Sequence, residues 1–387
     1  MKVLILSTYG MKGGAAIAAN RLAAALYKEG VDVNMVTQDD FGWKGKLAFL
    51  LERIAVWVCN GFSKKNLWAK DLAVAGVDVT SRKEYKEADI IHLHWINQGF
   101  ISLRTLEAIL RSDKRVVWTM HDEWPLSGMW HYYYEDTPTG TGLDLRCESR
   151  KRESYRQGRM TFVTCSKWLA DKVRNKSLGA GAEILTVPNP IDTMTFRPLV
   201  KEESETQRKM LGLPQDKKLV LFGCQYLTDK RKGFSYLLEA AKHLDKDVAV
   251  VLVGGHTEEV KTLFAGSVDC YAVGQVKNIA QMAALYGCVD CFVTPSLHDN
   301  LPNMIMESMA CGIPCVGFNV GGIPEMIDHG KNGYVAELKN AEDLAVGIRF
   351  VVDEERAVRL KIAAREKVVA CYSEHAVAEE YIKVYKS

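Results

Sequence analysis

Two acids frame the stretch HDNLPNMIMESMACG, His298 to Gly312. Asp299 stands on a polar loop with Asn300, Leu301 and Pro302, whereas Glu307 lies inside the apolar run MIMESMA. The preceding segment DCFVTPS reads as a buried strand that ends at Ser296. Pro302 fits the first turn of a following helix, where its missing N–H is no loss. Asn303 and Glu307, four positions apart, then share one face of that helix. Asn303 and the unpaired N–H groups of the helix start face the loop and suit a phosphate or sugar oxygen. Glu307, one turn deeper, can accept from two hydroxyls, as a ribose diol requires. An acid with apolar residues on both sides is costly to bury without partners, which favours binding over a solvated surface position. Asp299 is nearer to whatever lies beyond the phosphates. A second glycine loop, Gly321-Gly322 in FNVGGIPEMI, precedes another helix and faces the same cleft.

Cations of suitable placement occur at Arg231 and Lys232, immediately before Gly233 and an amphipathic helix. Two positive side chains in a strand-end loop suit a diphosphate. Near the amino terminus, strand 2–8 runs into Tyr9-Gly10-Met11-Lys12-Gly13-Gly14 and then a helix. Glycines let a ligand approach the backbone, and a helix start attracts negative charge. The spacing is neither G-x-G-x-x-G nor a P-loop, and a plain strand-to-helix turn would read the same. His121 follows the strand RVVWTM and has Asp122 beside it. Its strand-end position suits a group that orients or deprotonates a hydroxyl. His92 and His94 share a strand face about 7 Å apart, too far for an easy chelate. Structural hydrogen bonding is therefore expected of His92. Cys288 with Cys291, and Cys311 with Cys315, lie in or beside apolar segments and read as small buried hydrophobes.

The elements that position these residues alternate. Short β-rich runs (2–8, 31–37, 88–95, 115–122, 160–166 and 182–190) are separated by Ala/Leu-rich helical stretches, as at 15–30. The rhythm restarts near 218 with KLVLFGCQ, DVAVVLVGG, VDCYAVGQ, DCFVTPS and IPCVGFN, and with helices near 234–244, 278–287, 302–311 and 341–352. Continuous apolar runs indicate strands covered on both faces, hence parallel sheets with helices on each side. The fold class is α/β, with two Rossmann-like doubly wound domains facing a cleft. The charged, proline-flanked segment 196–218 marks the boundary. We expect an N-terminal domain at 1–197, a C-terminal helix at 373–387 packed back on it, and a C-terminal domain at 198–372. Ligands of such sheets bind beyond the carboxyl ends of the strands.

A chain of 387 residues exceeds one ordinary core. Hydrophobic residues at 48% and charged residues at 25% describe a normal globular protein. A net charge of +2 gives no case for nucleic acid. No signal peptide or membrane span is evident, and ten cysteines without a signal suggest reduced thiols and a cytoplasmic location. Segment 41–70 breaks the rhythm. It is apolar and basic, and Glu52 is its one acid. It reads equally as a helix on the inner face of an anionic membrane and as an ordinary core-packing helix.

Taken together, these residues resemble the GT-B glycosyltransferases, specifically family 4 (glycosyl transferase group 1). The family pattern of an acid, seven residues and Glu, then A-x-A/S-C-G-x-P and G-G-x-x-E, reads here D-NLPNMIM-E, SMACGIP and GGIPE. The first acid is Asp299 where Glu is usual, and the D-N-L-P-N form resembles a bacterial polysaccharide-building branch. Arg231-Lys232-Gly233 matches the R-K-G loop, Gly13-Gly14 the G-G-A loop, His121 to Pro125 the H-D-x-W-P motif, and Asn189 to Pro198 the hinge. Gln225 stands where the family has a further Arg, and a cysteine cluster of some members is reduced to Cys147.

The resemblance implies transfer of a sugar, with retained configuration, from a UDP- or GDP-sugar to a glycan or lipid-linked acceptor. Glu307 would hold the ribose and Asp299 the donor sugar. Arg231 and Lys232 would hold the diphosphate, with Asn300, Leu301, Asn303, Gly321 and Gly322 lining the donor site. Gly13 and Gly14 would close over the phosphates, and His121 would meet donor sugar or acceptor. No cofactor and no metal are expected. Asp245-Lys246-Asp247 is the one D-x-D, in a helix-to-strand turn at the wrong end of the sheet. A nucleotide-sugar epimerase and a non-catalytic GT-B partner subunit are the rival readings. Donor hydrolysis without acceptor would separate an enzyme from a binder.

Overall fold

The structure, a computed structural model, describes every residue except 134–136, 138–139, 177–182 and 227–228. Two compact units emerge: Met1–Pro190 with Val377–Ser387, and Ile191–Ala376. Each is built on a six-stranded parallel sheet among the described residues.

In the first unit the strands are β1 (Lys2–Leu6), β2 (Asp32–Val36), β3 (Ile90–Leu93), β4 (Arg115–Met120), β5 (Thr161–Thr164) and β6 (Glu183–Thr186), in the order β2-β1-β3-β4-β5-β6. Alternation along β1 explains its two covered faces. Leu4 and Leu6 pack into a cluster with Ile91, Leu93 and Trp118. Val3 and Ile5 face the other way, onto Leu22 and Leu26 of the helix Gly14–Lys28 and Tyr381 and Tyr385 of the helix Glu374–Lys386.

The second unit holds β7 (Lys218–Tyr226), β8 (Val248–Gly255), β9 (Asp269–Gly274), β10 (Cys291–Thr294), β11 (Cys315–Phe318) and β12 (Gly333–Ala336), ordered β12-β11-β10-β7-β8-β9. Val220 and Phe222 of β7 pack with Ala240 and Ala241 of the helix Phe234–Ala241 and with Ile348 of the helix Ala341–Val352.

Both sheets are the expected doubly wound α/β type. Each has a switch point where neighbouring strands send the chain in opposite directions: β1 beside β3, and β7 beside β10. The loops leaving those strands diverge and open a crevice at the carboxyl edge.

Three parts of the chain differ from the sequence reading. β12, unnoticed there, is four residues long and opens on a glycine, so it carries almost no periodic signal. The boundary segment 196–218 contains the helix Lys201–Met210, which buries no residue and therefore has no apolar stripe to detect. The chain also divides ahead of 197. Ile191 N–H donates to Tyr372 O at 2.8 Å, Glu374 N–H donates to Ile191 O at 3.1 Å, and Arg365 donates to Phe196 O at 2.7 Å. These bonds tie 191–196 to the helix Glu354–Tyr372 and to Glu374 just after it, within the second unit.

Candidate functional site

The switch point of the second unit brings three loops together. The loop after β7 forms a short 3₁₀ turn, Lys230–Lys232, started by Asp229, whose Oδ1 accepts from Arg231 N–H at 3.0 Å. It ends at Gly233, with φ +67°, where a Cβ would lie 1.8 Å from Pro295 O. Only glycine fits that conformation at that distance. Leu297 N–H donates to Arg231 O at 2.7 Å and laces this loop to the one after β10.

Lys232 Nζ lies 2.6 Å from Asp299 Oδ2. The loop after β11 reaches the same place: Gly322 N–H donates to Asp299 O at 3.2 Å. Gly321, with φ +62°, approaches so closely that a Cβ would be 1.7 Å from that carbonyl. Asn300 and Leu301 are buried beside Asp299, and Asn303 is half-buried. Arg231, in contrast, turns its guanidinium onto Asp229 at 2.6 Å.

The helix after this loop spans Asn303–Ala310, with Pro302 immediately before its first residue. Its far face is fully buried through Ile305, Met306 and Met309. Glu307 is also buried, 8% exposed, and Tyr286 Oη–H donates to its Oε2 at 3.0 Å. Burial and the Glu307 charge drive the Tyr286 phenol well above its ordinary pKa, so it stays a donor. Tyr286 was not singled out from sequence. Its position at the end of the helix Ile279–Gly287 gave no local sign of a partner in another helix.

Cys288, Cys291, Cys311 and Cys315 are all buried and unbridged, as the sequence reading expected. Burial pushes the Cys288, Cys311 and Cys315 thiols up to about 12.

In the first unit, the loop after β1 leans on the loop after β3. Thr8 N–H donates to Trp95 O at 2.7 Å, and the Tyr9 and Trp95 rings stack at 6.0 Å. Gly13 has φ +89° and would meet nothing if it carried a Cβ, so glycine is there for conformation rather than space. Gly13 and Gly14 are exposed at the start of the helix Gly14–Lys28.

His121 sits half-buried at the end of β4. Its Nε2 pairs with His94 Nδ1 at 2.9 Å, and its Nδ1 is 3.7 Å from Cys165 Sγ. Desolvation pulls it down to about 4 against the opposing pull of Asp122, so it is neutral at pH 7. Asp122 does not orient it. Asp122 Oδ2 accepts from Trp95 Nε1 at 2.7 Å and pairs with His131 Nδ1 at 2.8 Å. His131 Nε2 meets Asp71 at 2.9 Å, and Asp71 is ion-paired with Arg53. Burial works to lower the His131 pKa, but the two carboxylates outweigh it and hold it at about 9.

His92 is structural, as expected: its two nitrogens pair with Tyr385 Oη and Thr119 Oγ1, both at 2.7 Å. The His92 and His94 rings nevertheless lean to 4.4 Å, nearer than an extended strand suggests. A further group the sequence left unmarked is Lys151, fully buried. Its Nζ donates to Trp124 O at 2.6 Å and Ser127 O at 3.1 Å, and lies 3.3 Å from the Trp124 ring centre. It clamps the loop that follows His121. The expected motif stretch 127–147 includes 134–136 and 138–139, which lie outside the described residues.

Two family models match the chain: Glycosyltransferase Family 4 over residues 12–194, and Glycosyl transferases group 1 over 217–354. Among curated relatives, the N-acetyl-alpha-D-glucosaminyl L-malate synthase of Bacillus anthracis is 23% identical, covering 100% of this chain and 97% of its own. The D-inositol 3-phosphate glycosyltransferase of Corynebacterium jeikeium is 24% identical, over 97% of this chain and 92% of its own. Among solved structures, Anabaena HepE in complex with UDP superposes with a TM-score of 0.68 at 16% identity over 100% of both chains. Sucrose-phosphate synthase from Thermosynechococcus elongatus reaches 0.70 at 17% identity, over 100% of this chain and 98% of that one. Those two likenesses establish the shared two-sheet fold, and the family matches over both halves establish the enzyme class: the chain is a GT-B glycosyltransferase of family 4.

Proposed function

We propose that the chain transfers a sugar from a nucleoside diphosphate sugar to a hydroxyl of a glycan or lipid-linked acceptor in surface polysaccharide synthesis. The observation that carries this reading is the convergence on Asp299: Lys232 at 2.6 Å, the Gly321-Gly322 loop on its carbonyl, and Glu307 buried one turn into the helix that follows. A cation, a helix start and a buried carboxylate at one switch point suit a diphosphate followed by a ribose. The binding of UDP by HepE, which shares the fold, supports a uridine donor.

In this reading Glu307 accepts from the ribose hydroxyls while Tyr286 holds its other side. Lys232, released from Asp299, and Arg231, released from Asp229, neutralise the diphosphate. Asp299 then holds the donor sugar, with Asn300, Leu301 and Asn303 beside it. His121, being neutral, can accept a hydrogen bond from a sugar or acceptor hydroxyl; Gly13 and Gly14 offer exposed backbone to phosphate. The anomeric carbon–oxygen bond to the diphosphate breaks as the acceptor oxygen bonds from the same face. The acceptor proton passes to the departing phosphate oxygen, so configuration is retained and no metal is needed.

A thermal-shift panel of UDP, GDP, ADP and their sugar conjugates, without and with magnesium, tests this. The expected result is a rise in Tm with one diphosphate series, unchanged by magnesium. No shift with any nucleotide would defeat the reading. The anomeric form of the product, read by NMR, tests retention separately.

A further inference from the structure

The helix Gly42–Cys59 is built inside out. Its buried residues are Gly45, Ala48, Glu52, Arg53 and Val56, one stripe at helical spacing. The two central members of that stripe are ionisable. Glu52 accepts the backbone N–H groups of Leu72, Ala73, Val74 and Ala75 at 2.7 to 3.1 Å. Arg53 is ion-paired with Asp71 and donates to Leu67 O at 2.8 Å. The small residues permit close packing: a Cβ on Gly45 would be 2.4 Å from Gln38 O, and one on Gly99 would be 2.4 Å from Ala48 O.

The outward face carries Trp43, Leu47, Leu50, Leu51, Ile54 and Trp57, all exposed. Phe62 and Trp68, 64% and 61% exposed, continue it past the helix end. A water-facing helix normally shows the opposite arrangement, with apolar residues turned to the core. Charge separates the two readings left open by the sequence. Lys44, Lys46, Lys64 and Lys65 are exposed around this face, and the only carboxylate from 42 to 70 is the buried Glu52. Tryptophans and lysines rimming an apolar surface, with no exposed acid from 42 to 70 and with Asp39 and Asp40 only ahead of the helix, match an anionic bilayer interface. Among the described residues no helix is long and apolar enough to cross a membrane, so the contact is with the surface.

We propose that the outward face of Gly42–Trp68 docks the protein on an anionic lipid bilayer. The apolar side chains enter the headgroup boundary and the four lysines meet lipid phosphates. The glycosyl-transfer reading bears on this only through a lipid-linked acceptor, which would be met at that surface; the docking itself needs no donor.

The test is flotation of the full chain with vesicles of phosphatidylcholine alone or mixed with phosphatidylglycerol. Binding to the mixed vesicles, weakened by salt and at least about tenfold weaker to neutral ones, is expected. Leu47→Ser/Leu51→Ser, at exposed positions, should reduce binding by a similar factor with Tm unchanged. If that pair unfolds the protein, Lys44→Glu/Lys46→Glu replaces it and should also lose binding. Absence of vesicle binding, or equal binding to neutral and anionic vesicles, overturns the proposal. So does a concentration-dependent dimer abolished by Leu47→Ser/Leu51→Ser without vesicle binding, since the face would then join two copies of the chain. Because nucleotide-induced Tm shifts are read without lipid, a failure here leaves the transfer reading standing, and the reverse also holds.

Discussion

Lys232 and Asp299, 67 residues apart in sequence, meet at 2.6 Å across the loops that follow β7 and β10. In this pair each charge neutralises the other. In the proposed reaction a donor diphosphate would compete with Asp299 for the ammonium and free the carboxylate for the sugar. Asp299→Ala should therefore keep nucleotide affinity while kcat falls by about 10²–10³, the usual loss for a group aimed at the reacting centre. Calorimetry with the nucleotide beside steady-state kinetics checks this. Nucleotide affinity falling as far as kcat would move Asp299 from the sugar to the diphosphate.

Glu307 and Tyr286 make a graded pair. Glu307→Ala should abolish measurable nucleotide binding. Tyr286→Phe removes one hydrogen bond to a charged group, an effect of about 1.5–3 kcal/mol. Nucleotide Kd should then rise roughly tenfold or more, with kcat at saturation little changed. Unaltered nucleotide affinity in Glu307→Ala would sink the ribose assignment.

Gly321 tests whether Asp299 must be held where it is. At φ +62°, with a Cβ placed 1.7 Å from Asp299 O, alanine has neither the conformation nor the space. Gly321→Ala should displace the Asp299 loop and cost about 1–3 kcal/mol of stability. Activity should fall as in Asp299→Ala. Full activity in a folded Gly321→Ala protein would show that the loop position does not matter.

Buried bases give the pH dependence of stability two arms. His92 and His121 are held down to about 3 and 4, and His94 well below its ordinary value. Below pH 6.5 the unfolded chain binds protons that the native one refuses, so stability should fall as pH drops from 6.5 toward 4. Above 6.5 two groups oppose each other. His131, raised to about 9, loses its stabilising contribution as pH rises through that value. Lys151, lowered to about 7 by burial, is relieved over the same range. Between pH 7 and 8, below the range where the unfolded thiols ionise while the buried ones stay protonated, stability read by chemical denaturation should therefore be nearly flat for the native protein. It should rise with pH in His131→Asn and fall with pH in Lys151→Met. His131→Asn should also cost about 3–5 kcal/mol, because Asp71 and Asp122 lose the cation between them. Parallel profiles in all three proteins would refute the assignment.

Much of the architecture was legible in the sequence. The cores of these runs, such as VLIL at 3–6 and CFV at 291–293, are apolar at consecutive positions, and only a strand covered on both faces tolerates that, so two parallel sheets follow from pattern alone. The position of Glu307 on a helix behind a proline was equally local, because four-residue spacing and the start of a helix are properties of a short stretch. What escaped was either featureless or distant. β12 and the helix Lys201–Met210 lack an apolar period. The pairings Lys232–Asp299, Tyr286–Glu307 and His94–His121 join residues that share no local pattern, and only strand order brings them together. Asp122 shows the same limit: it stands next to His121 in the sequence, yet the fold turns its carboxylate to His131. Composition likewise marked 41–70 as apolar and basic but did not say which side faces water. Tertiary packing decided that, because Glu52 and Arg53 found backbone and Asp71 partners inside and left the leucines and tryptophans outside.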